Sequence, residues 1–351
     1  MSIRVLIVED SPVALMILKR ILASSAEVEI VGTAQTGHEG LALIPISQPD
    51  VICTDFFMPK MNGLEFTVQV MNQYPLPILV VSASVQEDDP HRIFRLLEAG
   101  AVDILPKPRA GLDAENRLLK QALINKIKIL SGVKVFRKKQ PSIAPPPKQL
   151  TQLSNSGGYK IVAIGASTGG PMALQTLFTS LPENFPLPIV CVQHISRGFL
   201  QGLLDWLTIT SKLSIQTAQA GEYPKPGTIY FPPERQHLTF DRGGRFVCSQ
   251  ADPDDQHCPS VTTLFSSLAR VYGRNAVGVL LTGMGRDGAE GMQAIANAGG
   301  TTIAQDEATS VVFGMPKEAI DLGAAHQVLP IDEIAPAILQ LVKQPLTNPR
   351  Q

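Results

Sequence analysis

Short runs rich in β-branched residues alternate with amphipathic stretches through the first 130 or so residues: IRVLIV from Ile3, VEIVGTA from Val28, DVICTDF from Asp50, PILVVSA from Pro77 and AVDILPKP from Ala101. Such βαβα alternation predicts a parallel sheet covered by helices. Ser11 followed by Pro12 has the chemistry of an N-cap with proline in the first turn, predicting a helix that runs to about Ser24. LDAENRLLKQALINKIKIL, from Leu112 to Leu130, predicts a closing helix ended by Ser131-Gly132. A second α/β pattern begins at Tyr159 and runs to about Val342, with strands at KIVAIG, PIVCVQH, TIYFPP, AVGVLLTG and TTIAQD and a short late one at QVLPI. Between the patterns, residues 137–158 are rich in Pro, Ser, Gln and Gly and lack an apolar face to bury. The expected division is a first domain at 1–131, a linker at 132–158 and a second domain at 159–345.

A chain of 351 residues with 44% hydrophobic content is ample for two packed cores. Its net charge of −1, from 30 basic and 31 acidic residues, gives no electrostatic case for nucleic acid or an anionic membrane. The basic run FRKKQ beside the linker reads as a solvated helix end. The apolar run in MSIRVLIVED stops at Glu9-Asp10, too short for a signal peptide, and no stretch reaches membrane-spanning length. The expectation is a cytoplasmic protein without membrane insertion. Cys53, Cys191, Cys248 and Cys258 form no C-x-x-C pair and no metal-like spacing, which fits reduced thiols.

In a parallel α/β sheet, ligands bind outside the carboxyl ends of the strands. In the first domain those ends carry Glu9 and Asp10, then Asp55, Ser82 and Lys107. The three carboxylates can hold a hard divalent cation such as Mg²⁺ through oxygen, while Ser82 and Lys107 would contact phosphoryl oxygens across the site. Any one of these residues could merely cap a strand or helix. Their joint placement argues for a site.

In the second domain, GASTGG (165–170) joins a strand to a helix. The P-loop pattern needs a Lys after its last Gly, where Pro171 stands, and the dinucleotide pattern needs a third Gly where Met172 and Ala173 stand. Gly165 to Gly169 fits the G-x-S-x-G elbow, which exposes a serine hydroxyl on a tight strand-to-helix turn, although a plain Gly-rich helix cap has a similar claim. A nucleophilic Ser167 needs a base and an orienting acid. The order Ser, acid, His would select Ser167, Asp287 and His326; the order Ser167, His194, Asp287 places all three just past carboxyl ends of strands and is preferred. Asp287 alone could equally be an acid at the start of its own helix.

Residues 1–130 resemble a response-regulator receiver domain through VLIVEDSP, DVICTDFFMPKMNGLEF, VVSAS and GAVDILPKP. The resemblance implies a flavodoxin-like doubly wound parallel sheet, phosphorylation at Asp55, Mg²⁺ held by Glu9, Asp10 and Asp55, phosphoryl contacts from Ser82 and Lys107, and a cis Lys107-Pro108 bond. Ile104 stands where many receivers carry an aromatic switch residue. Residues 159–342 resemble the catalytic domain of the CheB family of chemotaxis protein-glutamate methylesterases through IGASTGGP, VQHI, LLTGMGRDGAEGM and TTIAQDEATSVVFGMPKEAIDLGAA. That resemblance implies a mostly parallel α/β domain, Ser167 as nucleophile, His194 as general base and acid, Asp287 as orienting carboxylate, and oxyanion amides from Thr168 and Met284. It also implies methylated chemoreceptor cytoplasmic domains as substrate, a sensor histidine kinase as phosphodonor, no cofactor for the esterase chemistry and a glutamine deamidase side activity. Cys258 stands where the family commonly has a basic residue. The rival is a phosphorylation-controlled receptor-binding module without hydrolase activity.

Overall fold

The structure, a computed structural model, describes residues 2–82, 90–108, 114–133, 135, 158–252, 255 and 257–343. The chain divides into two compact units, residues 1–145 and 146–351. Most of the expected linker, at 136–157, lies outside the described residues. No described helix is long and apolar enough to cross a membrane.

The first unit runs β1 (Ile3–Val8), α1 (Pro12–Leu22), β2 (Val28–Ala34), α2 (Gly37–Ser47), β3 (Val51–Thr54), α3 (Gly63–Gln73), β4 (Ile78–Ser82), α4 (Pro90–Ala99), β5 (Asp103–Pro106) and α5 (Ala114–Leu130). Its five strands are all parallel in the order β2-β1-β3-β4-β5. With helices on both faces, β3 and β4 are buried at every position, which is why their sequences are continuous apolar runs. The Ser11 cap is present: its side chain accepts from the Ala14 amide at 3.3 Å, with Pro12 opening α1. Strand order reverses between β1 and β3, so a crevice opens at their carboxyl ends, where Glu9, Asp10 and Asp55 follow.

The second unit runs β6 (Ile161–Ala166), α6 (Gly170–Thr179), β7 (Ile189–Gln193), α7 (Leu200–Thr210), β8 (Ser214–Thr217), β9 (Thr228–Phe231), β10 (Gln236–Phe240), β11 (Phe246–Gln250), α8 (Val261–Tyr272), β12 (Ala276–Leu280), α9 (Ala289–Asn297), β13 (Thr301–Gln305), α10 (Met315–Asp321), β14 (Gln327–Leu329) and α11 (Ile331–Lys343). Seven strands form one parallel sheet in the order β14-β13-β12-β6-β7-β9-β8, and β10 and β11 pair separately as an antiparallel hairpin. The chain builds outward from β6 to β7, β9 and β8, then returns to the other side of β6 with β12. The switch point therefore falls between β6 and β12, with Ser167 past one strand and Asp287 past the other.

Helix α8 packs against both layers. Its apolar residues Val261, Leu264, Phe265 and Leu268 are fully buried and share a core with Ile161 and Leu280 of the sheet and Phe240 and Phe246 of the hairpin. The approach to β6 is close enough to require glycine: a Cβ at Gly165 would overlap Val261 Cγ1 and lie 3.1 Å from Leu280 Cδ1. Gly165→Ala should therefore destabilise the second unit by about 1–3 kcal/mol through overpacking. The single tryptophan, Trp206, is buried in that unit, and a urea titration followed by its fluorescence measures the change.

Candidate active site and phosphoacceptor site

In the first unit the structure gathers the expected acidic cluster. Lys107 Nζ donates to Asp55 Oδ2 at 2.7 Å and to Glu9 Oε1 at 2.8 Å, while the Phe56 amide donates to Asp55 Oδ1 at 2.6 Å. Burial raises the Asp55 and Glu9 carboxyls above their ordinary values against the opposing pull of the Lys107 ammonium. Burial pushes the Lys107 ammonium down, but Asp55 and Glu9 outweigh it and the net shift is upward. Oxygens of Glu9, Asp10 and Asp55 lie within 4.8 Å of one another, and Glu9 Oε2 is buried without a hydrogen-bond partner. An orphaned carboxylate oxygen in an all-oxygen cluster fits a hard divalent cation. Ser82 Oγ, at the end of β4, is also buried and unpartnered. One expectation fails: the Lys107-Pro108 bond is trans, and among the described residues the cis bond is Cys258-Pro259. The Lys107 amide extends the sheet by donating to the Ser82 carbonyl at 2.8 Å, which keeps Lys107 beside the end of β4.

In the second unit, Ser167 sits on the turn between β6 and α6, half-buried, with Gly169 at φ 77° as the left-handed residue that opens the helix. Its amide donates to the Thr282 carbonyl at 3.0 Å, and a Cβ at Gly283 would come within 2.7 Å of Ser167 Cβ, so the serine turn lies directly against the segment after β12. Thr168 is buried and Met284 is 46% exposed, and neither amide makes a hydrogen bond among the described residues. The end of β7 supplies a residue that motif reading passed over. Gln193 Nε2 donates at 2.8 Å to the carbonyls of both Ser167 and His194.

His194 Nε2 lies 2.9 Å from Asp287 Oδ2. Asp287 is held well below the usual carboxylate range: burial opposes ionisation, but the His194 hydrogen bond and charge and the amides of Thr262 and Val261 outweigh it. Those amides donate at 2.9 and 2.7 Å, and the Ser260 hydroxyl donates to Asp287 Oδ1 at 2.9 Å. Asp287 thus sits on the N-terminus of α8, where unpaired amides and the helix dipole favour an anion, and not on its own α9, which Gly288 opens. An ionised carboxylate only accepts, so Nε2 carries the proton and Nδ1 is left as the basic nitrogen. Among the described residues no hydrogen bond joins Ser167 Oγ to His194, an open geometry of the kind that tightens when substrate binds.

His326 is excluded from this constellation. Its Nδ1 faces Thr302, near the amino end of β13, whereas Ser167, His194 and Asp287 lie beyond carboxyl ends of the same parallel sheet. Two other histidines do belong near the site. The His257 ring stacks on His194 with centroids 4.6 Å apart, and burial followed by the His194 charge lowers it, against Asp287. His237 pairs with Asp255 at 2.9 Å and accepts the Ser260 amide at 3.3 Å, which fixes the segment that caps α8. Helix α8 was not among the expected elements, although its signal is local: Ser260 precedes apolar residues at 261, 264, 265 and 268, and Gly273 follows. Burial pushes the Cys258 thiol up, with Asp255 adding to it and Arg235 opposing, a direction that disfavours the thiolate. A groove of about 510 Å³ lined by Tyr159, Tyr223 and Tyr272 opens at the amino ends of β6 and β7, away from Ser167, while one of about 80 Å³ reaches His194's neighbours Gln193 and Ile195.

Because Asp287 has a lower pKa folded than unfolded, its stabilising contribution is complete above the ordinary carboxylate value near pH 4 and is lost as pH falls from there toward the folded value. Asp287→Asn should cost about 1–3 kcal/mol at pH 7. The difference from the parent should shrink at pH 3, as read from urea midpoints by Trp206 fluorescence.

Residues 162–338 match the family model for CheB methylesterase, and residues 5–119 match the response regulator receiver domain. A protein-glutamate methylesterase/protein-glutamine glutaminase of Syntrophus aciditrophicus is 41% identical over 97% of this chain and 98% of its own length. A second bearing the same description, from Nitrosospira multiformis, is 40% identical over 97% and 98%. The crystal structure of the Thermotoga maritima CheB methylesterase catalytic domain superposes with a TM-score of 0.50 at 41% identity, covering 52% of this chain and 98% of that one. By fold, domain order and similarity along nearly its whole length, this chain belongs to the CheB methylesterase family, with a response-regulator receiver domain ahead of the methylesterase domain.

Proposed function

We propose that the protein is a phosphorylation-regulated serine esterase that demethylates γ-glutamyl methyl esters on the cytoplasmic helices of chemoreceptors and deamidates selected glutamines there. The carrying observation is that Asp287 fixes His194 through Nε2 beside a serine turn whose following amide is free. Ser167 Oγ attacks the ester carbonyl as His194 Nδ1 takes its proton. The amides of Thr168 and Met284 stabilise the oxyanion, each worth about 3–4 kcal/mol if it acts as a typical oxyanion donor. His194 returns the proton to the departing methanol, or to ammonia when the substrate is an amide. Water then gives a proton to His194 and attacks the acyl-serine, releasing glutamate and restoring the hydroxyl.

In the first unit Asp55 is the phosphoryl acceptor and a sensor histidine kinase the donor, with Ser82 and Lys107 as phosphoryl contacts. Glu9, Asp10 and Asp55 would hold Mg²⁺, which when bound offsets charge on the phosphoryl oxygens. The working boundaries are a receiver at 1–131, a linker at 132–158 and a catalytic domain at 159–345, in a cytoplasmic protein without membrane insertion.

Methanol release from methylated receptor membranes tests the chemistry. Ser167→Ala should abolish it while receptor binding persists, and retained release in a folded Ser167→Ala protein would remove the serine mechanism. His194→Ala should lose about 10⁴-fold or more in kcat, as triad members do, and His326→Ala should stay near the parent. Regulation has a separate readout. A small-molecule phosphodonor with Mg²⁺ should raise esterase activity of the full chain, and Asp55→Asn should cancel that rise without changing the basal rate.

A further inference from the structure

We propose that Gln193 is a positioning residue for the esterase reaction, which aims the Thr168 amide at the developing oxyanion by holding the Ser167 carbonyl. The inference rests on the serine mechanism above and identifies what sets its oxyanion geometry. Gln193 ends β7 and is 3% exposed. Its Nε2 hydrogens go to the Ser167 and His194 carbonyls, each at 2.8 Å, and the Ser167 carbonyl also accepts the Gly170 amide at 2.8 Å. A carbonyl gripped by two donors cannot rotate freely. The peptide unit is planar and trans, so its N–H points opposite to its C=O. Fixing the Ser167 carbonyl therefore fixes the direction of the Thr168 N–H, which makes no hydrogen bond among the described residues. The same carboxamide ties the serine turn to the histidine turn, so nucleophile, base and amide are referred to one buried group.

Packing alone would not select glutamine here. Gln193 Oε1 is buried without a partner, a desolvation cost that a leucine or methionine of similar volume would avoid. The pocket is also shaped to this side chain: a Cβ at Gly170 would overlap Oε1. A glutamine kept with one end unsatisfied points to the other end, the two donated hydrogen bonds, as the reason for its presence.

The test uses the full chain with a phosphodonor, with active sites counted by covalent labelling of Ser167. Gln193→Met should lower kcat per labelled site about 10- to 100-fold, approaching loss of one oxyanion donor. KM for methylated receptor should stay unchanged, and affinity for a tetrahedral boronate or phosphonate mimic should fall in step with kcat. Gly170→Ala, which displaces the carboxamide without removing it, should show the same split, and the two losses should not add in the double variant. Parent kcat per labelled site in either single variant overturns the proposal. So does a defect confined to Trp206-reported stability and the labelled fraction. Ser167→Ala separates the two levels: if it keeps activity the serine mechanism fails, whereas an inactive Ser167→Ala beside a fully active Gln193→Met removes the role of Gln193 alone.

Discussion

One buried carboxylate holds the catalytic unit's site together. Asp287 accepts from two amides at the start of α8, from the Ser260 hydroxyl and from His194. Helix ends carry unpaired amides, and burying one requires a partner. Here that partner comes from the strand-to-helix turn after β12, so α8, the β12 edge and the histidine after β7 are secured by the same group. The segment leading into α8 is held in turn by His237 and carries His257 against the His194 ring. Orientation of the histidine is thus inseparable from the packing of α8 on the sheet. The close approach at Gly165 belongs to the same contact.

The two units use one topological rule for opposite electrostatic ends. Each places polar groups past the carboxyl edge of a parallel sheet at the point where strand order reverses. Asp55 and Asp287 are buried to similar degrees, at 4% and 8% exposure, yet burial leaves the Asp55 carboxyl raised while Asp287 is strongly lowered. The difference lies in their partners. Asp55 has one amide and one shared ammonium, with Glu9 and Asp10 close by; Asp287 has four donors and no acidic neighbour among them. A carboxylate short of donors in a crowded acidic site favours neutralisation by a bound cation. One saturated with donors is stable as an anion and suits a fixed counter-charge.

Much of this was legible in the sequence because it is local. The strands announce themselves by apolar runs, Ser11-Pro12 by capping chemistry, and Glu9, Asp10, Asp55, Ser82 and Lys107 by their positions just past strands. The choice of His194 over His326 follows from which end of a parallel strand each one occupies. Other features depend on neighbours distant in the chain. Asp287 was expected as the orienting acid, with an acid on its own helix as the other reading, but its partners some 25 residues earlier at α8 had no signal in its own segment. Helix α8 and the β10–β11 hairpin had local signals: an N-cap with apolar spacing for one, and HLTF-DRGG-RFVC for the other. Gln193 had none. A polar residue between an apolar strand and a histidine is unremarkable until the fold brings the Ser167 carbonyl to it.

Unpartnered atoms sharpen the contrast between scaffold and site. Among the described residues, the buried side-chain atoms without a hydrogen bond are Glu9 Oε2, Ser82 Oγ and Gln193 Oε1. Folding penalises each such atom by an amount comparable to a hydrogen bond, so a scaffold free to optimise stability would remove them. All three instead belong to the two sites. Glu9 stands in an oxygen cluster that a cation would complete, and Ser82 ends β4 at the carboxyl edge of the same sheet, so their deficit is one that a ligand can fill. Gln193 differs, because its orphan oxygen packs against the Gly170 backbone. Its deficit is built into the protein, and the compensation must come from its other end, where one nitrogen fixes the turns that carry Ser167 and His194.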